Sequence, residues 1–243
     1  DYLNNHLGAL ELDITPNRPD CFSHLGVARD LAAKLNININ TPSYDKRSFN
    51  KNIAKDMIKV SFENPEDCPR FVAGIVKNVK VGPSPDWLRH KLELAGQRSI
   101  NNVVDISNFV LLEMGQPSHI FDYDKIESKE ILIRRAAKGE KIKTLDEESR
   151  KLTPDELLIT NGKKPIAIAG IMGGLSTSVN DKSSTLLIEC AYFNPPVIRK
   201  GAKNLGMSTE ASKRFERGAD PNGTEKAMWR IIQLLEDIAN GEW

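Results

Sequence analysis

The stretch Arg98–Asp122, RSINNVVDISNFVLLEMGQPSHIFD, constrains this chain more than any other. Val103, Ile106 and Val110 recur at helical spacing, with Val104 and Leu111 beside them, and predict a helix with one apolar face. Gly115 supplies a C-terminal stop, and Gln116-Pro117 forbids continuation. Just past the stop stands His119, one of 4 histidines. Ser107, Asn108 and His119 are therefore expected on a rigid apolar element or in the loop it feeds. That placement suits reactive groups. It equally suits a buried helix whose polar residues only satisfy backbone groups.

The rest of the chain reads as mixed secondary structure around that stretch. In residues 1–40, LELDITPNRPD suggests a short strand and a Pro-rich turn, and Asp20 or Ser23 can cap a helix facing inward through Leu25, Ala28, Leu31, Ala32 and Leu35. One strand and one helix bury too little to fold alone, so this segment must dock on the rest or belong to a flanking small helical domain. Residues 41–57 are polar and patternless and read as a linker. The main domain, 58–221, opens with strands at 58–62 and 70–81. Ser84 and Pro85 suit the cap and first turn of a helix carrying Trp87, Leu88, Lys91, Leu92 and Ala95, ended by Gly96. Short strands follow in EILIRRA, EKIKTLD, LLIT, PIAIAGIMGG and TLLIECAYF, with Asn161-Gly162 as a hairpin signal. Asn194-Pro195-Pro196 begins a helix that stops near Gly206, and Ser208 can cap a turn through Ala211 and Phe215. Residues 222–243 hold an amphipathic helix, with Ala227, Met228, Ile231, Leu234, Leu235 and Ile238 on one side, read as leading to a next domain. Strands and helices do not alternate regularly, so the expected class is α+β with a mixed or antiparallel sheet.

Composition removes several functions. A net charge of +1 gives no global pull toward nucleic acid or membrane, so any RNA contact needs a local basic patch. No apolar run reaches the roughly 20 residues a membrane helix needs, and no signal peptide is present. A start at Asp1 rather than Met reads as a piece of a longer chain. The 3 scattered cysteines lack a CxxC pair, which argues against a disulfide framework or zinc site and suits the cytosol.

Three groups invite chemistry. Gly170, Gly173 and Gly174 follow an apolar run but lack the Gly-Lys-Ser/Thr of a phosphate loop. They fit either a tight turn or a place where a ligand approaches backbone. Glu189 lies inside the apolar TLLIECAYF. It needs a cationic partner, an outward position, or a ligand hydroxyl or ammonium to justify itself. TEASKRFERGAD offers Thr209 beside the small Ala211, then Lys213, Arg214 and Arg217, which by themselves suit a solvated helix face. No nucleophile elbow, Ser-His-Asp spacing or HExxH pair occurs.

Taken in order, LELDITPNRPDC, RSINNVVDISNFVLLEMGQPSHIFD, IAGIMGG, LIECAYFNP and TEASKRFERGADP resemble the bacterial phenylalanyl-tRNA synthetase β-subunit family. The likeness runs from about residue 9 to residue 221. It implies part of an α2β2 phenylalanine-tRNA ligase with ATP and magnesium used at a site mainly on the α subunit. This region would edit, hydrolysing tyrosine wrongly esterified to tRNA(Phe). No metal or cofactor is implied in the region itself. Carried over residue by residue, the resemblance makes His119, Thr209 and Asn108 catalytic. It gives substrate-binding roles to Glu189 (the tyrosine hydroxyl), Gly173, Ala211, Ser107 and Arg98. Ser107 stands where threonine is usual, Ser118 where leucine or methionine is, and Ile120 where alanine is. The rival expectations are a non-catalytic tRNA-binding or assembly module of the same synthetase, or an unrelated small-ligand or RNA-binding protein.

Overall fold

The computed structural model describes residues 8–42, 44 and 51–243. The organising stretch folds as helix α4, Asn102–Met114. The Asn101 side chain caps its first turn by accepting from Val104 N, and Gly115 ends it in the left-handed region at φ 77. Only Gly115, Gln116 and Pro117 separate the helix from strand β3, Ser118–Asp122, so His119 sits on a strand and not in a loop. Ahead of it lie α1 (His24–Leu35), α2 (Lys51–Met57), β1 (Lys59–Phe62), β2 (Arg70–Val76) and α3 (Asp86–Leu94). After it come β4 (Glu130–Arg135), β5 (Lys141–Lys143), β6 (Ser149–Lys151), β7 (Leu157–Thr160), β8 (Pro165–Ile168), β9 (Met172–Gly173) and β10 (Leu186–Tyr192). Helices α5 (Pro195–Leu205), α6 (Glu210–Phe215) and α7 (Gly223–Ala239) complete the chain.

The strands form a 5-stranded sheet ordered β1-β4-β7-β8-β9, a 3-stranded sheet ordered β2-β10-β3, and the β5-β6 ribbon. β1 pairs parallel with β4 and the remaining pairs are antiparallel, which makes this an α+β fold with mixed and antiparallel sheets. β10 is central to the smaller sheet and is covered on both faces. Leu187, Ala191 and Phe193 join the core shared with the larger sheet, whereas Leu186, Ile188 and Cys190 join the core shared with α3, α4 and α7. That double cover explains its unbroken apolar sequence. It also forces Glu189 inside, whichever face it takes.

Several local expectations are corrected by packing. Residues 8–14 form no strand. Ser23 caps α1 as expected, but Leu31 and Leu35 are exposed and Leu25, Ala28 and Ala32 only half-buried, so that apolar face is partly uncovered. The segment is tied to the body by polar contacts: His24 Nδ1 donates to Leu112 O at 2.9 Å, and Arg214 donates to Phe22 O at 2.8 Å. Residues 51–57, read as linker, are helical, while Ser43 and residues 45–50 lie outside the described residues. β2 ends at Val76 and not at Val81. Ser84 does not cap α3, because its hydroxyl is drawn to Asp105 at 2.6 Å. Thr209, not Ser208, caps α6. The amphipathic helix expected in 222–243 does form, as α7, and buries Ala227, Met228, Ile231, Leu234 and Leu235 in the core beside β10.

Candidate functional site

A cavity of about 240 Å³ opens where the central sheet, the β8–β9 edge, α4 and the first turn of α6 converge. It exceeds the roughly 150 Å³ that accepts a benzene ring, and falls short of the ~300 Å³ at which drug-sized sites begin. One aromatic side chain is the natural occupant by size. Its apolar wall includes Leu111, Ile159, Ile168, Ile171 and Phe215.

Strand register sets the polar wall. Glu189 is directly opposite His119 on β3 and Ala73 on β2, so the three share one face of the sheet. That face looks toward the larger sheet and the cavity, which both Glu189 and His119 line. Glu189 is 5% exposed, and burial pushes its pKa up to about 8. Its carboxyl has no hydrogen bond or ion pair among the described residues. Burial pulls His119 down to about 4, and its buried Nε2 lacks a partner. At neutral pH the cavity wall therefore presents a neutral acid and a neutral imidazole, both with unused hydrogen-bonding capacity.

Gly173 makes this arrangement possible in a way the sequence did not suggest. A Cβ there would overlap His119 Cε1 and lie 2.8 Å from Nε2. The missing side chain makes room for the imidazole first, and for a ligand only through it. The other two glycines are packing devices. A Cβ at Gly170 would meet Phe215 at 2.9 Å and Ile198 at 3.1 Å, and one at Gly174 would strike Ile166 O. They leave no open cradle for a phosphate.

Thr209 lines the cavity, but its hydroxyl already works. It donates to Ile171 O at 2.9 Å and accepts from Ser212 N at 3.0 Å in a capping box. One lone pair remains, so Thr209 can accept from a water but has no proton to give. Asn108 lines the cavity and its amide makes no hydrogen bond among the described residues. Ala211 lines it from α6. Ser107 donates to Ser118 O at 3.2 Å, and the two hydroxyls lie 2.8 Å apart. Two of the three departures from the resembled pattern, Ser107 and Ser118, are thus partners, tying α4 to β3 beside His119. Arg98 is not brought to the cavity; it is exposed on the α3–α4 loop.

Sequence reasoning missed Ser118, Met172 and Glu210 among the lining residues. Burial acts to raise Glu210's pKa, yet hydrogen bonds from Arg214 and Lys213 outweigh it and keep the carboxylate below its ordinary value. Its i, i+4 spacing to Arg214 was the available signal. Elsewhere, the ligand atoms of Asp20, Cys21 and Asp30 lie close together, but Arg18 already donates to both carboxylates.

A model of the B3/4 domain matches residues 67–240. The chain belongs to the B3/4 domain family. It is 48% identical to the phenylalanine–tRNA ligase beta subunit of Geobacillus kaustophilus over 242 residues, covering 100% of this chain and 30% of that one. The beta subunit of Bacillus subtilis is 48% identical over 233 residues, covering 96% and 29%. This B3/4 chain therefore spans about 30% of the length of the curated relatives it matches. The shared region is the part of a phenylalanine–tRNA ligase beta subunit that carries the B3/4 domain, the family implied by the sequence motifs. Among solved structures, an N-terminal fragment of the phenylalanyl-tRNA synthetase beta-subunit from Pyrococcus horikoshii is 19% identical, covering 79% of this chain and 59% of that chain with a TM-score of 0.42.

Proposed function

We propose that this B3/4 domain edits for a phenylalanine–tRNA ligase by hydrolysing Tyr-tRNA(Phe). The observation that carries the reading is Glu189: a buried carboxyl with no protein partner among the described residues, facing a cavity sized for one aromatic ring. Tyrosine and phenylalanine differ by one hydroxyl. A site built to bond that hydroxyl rejects the analogue lacking it by about 10⁴–10⁵, because the buried group then stays unpaired. Glu189 holds the phenol oxygen. The Asn108 amide, free among the described residues, donates to the ester oxygen as charge develops there. His119, neutral and with an unpartnered Nε2, accepts a proton from the attacking water, whose orientation the spare lone pair of Thr209 fixes, and returns that proton to the ribose oxygen as the acyl C–O bond of the ester breaks, leaving free tyrosine and tRNA. Ala211 and Ser107 bound the ring, and Arg98 at the surface meets the RNA.

The same reading places the domain in the cytoplasm, beside an α subunit in an α2β2 enzyme that uses ATP and magnesium. No described helix is long and apolar enough to cross a membrane. The glycine cluster does not fit a nucleotide phosphate, so no step here runs through ATP.

The test is deacylation, by the complete protein, of tRNA(Phe) charged in turn with tyrosine and with phenylalanine. Glu189→Ala should abolish the preference for the tyrosyl ester, and Ala211→Trp should fill the cavity and stop hydrolysis. Wild-type rates and selectivity in both variants would refute the assignment.

A further inference from the structure

The β5–β6 ribbon is not used by the cavity chemistry, and its composition is unusual. Lys141 pairs directly with Lys151, and Lys143 lies on the same face opposite Ser149. All four are exposed, and none of the three lysines makes a salt bridge among the described residues. Like charges directly opposite each other oppose strand pairing. The ribbon therefore carries a positive face that its own stability does not ask for.

That face ends at the cavity rim. Leu145, at the ribbon tip, donates its backbone N–H to Gly173 O at 3.0 Å. Its Cδ1 lies 2.9 Å from where a Gly173 Cβ would stand, beside the His119 ring. The side chain is nevertheless 41% exposed. The tip is held rigidly. Asp146 accepts from Thr144 Oγ1 at 2.6 Å and from both Arg150 nitrogens at 2.7 and 2.6 Å, while Glu147 is fixed at φ 65. Glu147 and Glu148 close the turn, so the positive surface is confined to the strands.

We infer that the lysine face of the ribbon and Leu145 at its tip form the track along which the single-stranded 3′ end of an aminoacyl-tRNA enters the cavity. The inference rests on the editing reading above. Phosphates of the strand lie along Lys151, Lys141 and Lys143, and the terminal nucleoside rests on Leu145 with its ester directed past Gly173 to His119. Three unpaired cations on one face match a flexible polyanion, and an apolar side chain at the end of the row matches the flat face of a base.

The experiment compares the complete protein with its Lys141→Ala/Lys143→Ala/Lys151→Ala and Leu145→Ser variants in Tyr-tRNA(Phe) deacylation, with free tyrosine binding measured alongside. The triple variant should lose about tenfold in kcat/KM through KM, and its log affinity should fall with log salt by about two fewer units of slope, as for three lost contacts to a single strand. Leu145→Ser should lose about tenfold at any salt. Tyrosine binding and thermal stability should hold in both, since neither residue set lines the cavity. Wild-type kcat/KM and salt slope in the variants would overturn the track and leave editing intact. A loss of tyrosine affinity would also overturn it by tracing the defect to the cavity. A wild-type protein that neither hydrolyses the ester nor binds tyrosine would remove the editing reading, and the track with it.

Discussion

Glu189 and His119 share a face and carry opposite titration shifts, so each leaves a separate mark on stability. A glutamate ordinarily titrates near 4.5, whereas folded Glu189 does so at about 8. Below the lower value both states hold the proton. As pH rises through this window folding must take up a proton, and Glu189 costs about 1.4 kcal/mol of stability per pH unit. His119 acts in the other direction: its shift from 6.5 to about 4 removes stability as pH falls through that window. Glu189→Gln should therefore gain on wild type steadily between those two glutamate values, by several kcal/mol in all, when urea unfolding is followed across pH. A flat difference would show that the carboxyl is solvated. Gly173→Ala tests the neighbour. Its methyl must displace the imidazole, so the His119 pKa should return toward its ordinary value in an NMR titration, and hydrolysis should fall by about 10² as the proton acceptor moves.

At the scale of elements, the cavity depends on two pins that hold α4. One is the Ser107–Ser118 hydroxyl pair. The other is Asp105, fully buried, which accepts from Ser84 Oγ at 2.6 Å, Ser99 Oγ at 2.5 Å and Ile100 N at 2.8 Å. Asp105→Ala leaves three donors without an acceptor and should cost about 3 kcal/mol in urea unfolding. It should also free the loop that carries Arg98, read as faster amide exchange at Ile100. The caps and stops of these elements were largely legible: Ser23, Gly115 and Gly206 act where their residue types predict, whereas the Asn101 cap was found only in the structure. Ser84 was legible as a cap and failed, because a buried carboxylate 21 residues later offered a stronger bond.

Over the whole molecule, two cores meet through one thin sheet. Helix α7 packs on α4, β2 and β10, so the last helix stabilises the same sheet that carries Glu189. Leu235 is fully buried there, and Leu235→Ala should cost about 3 kcal/mol. Because both cores share β10, unfolding followed by tryptophan fluorescence and by tyrosine binding should shift together in a single transition. Separate transitions would mean that α7 folds as part of another unit.

The sequence alone determined the helix of the organising stretch, its stop, the α+β class and, through its motifs, the family. These are local matters of spacing, capping and turn chemistry, each settled within a few residues. Tertiary structure decided what those signals do not encode. It set which face of β10 Glu189 takes, that His119 stands opposite it on a strand, and that Gly173 makes room for a ring 54 positions earlier in the chain. It kept Arg98 away from the cavity and brought α7 into the core. Strand register and layer packing join residues distant in sequence, and a site made of their opposed side chains exists only once the sheets have closed.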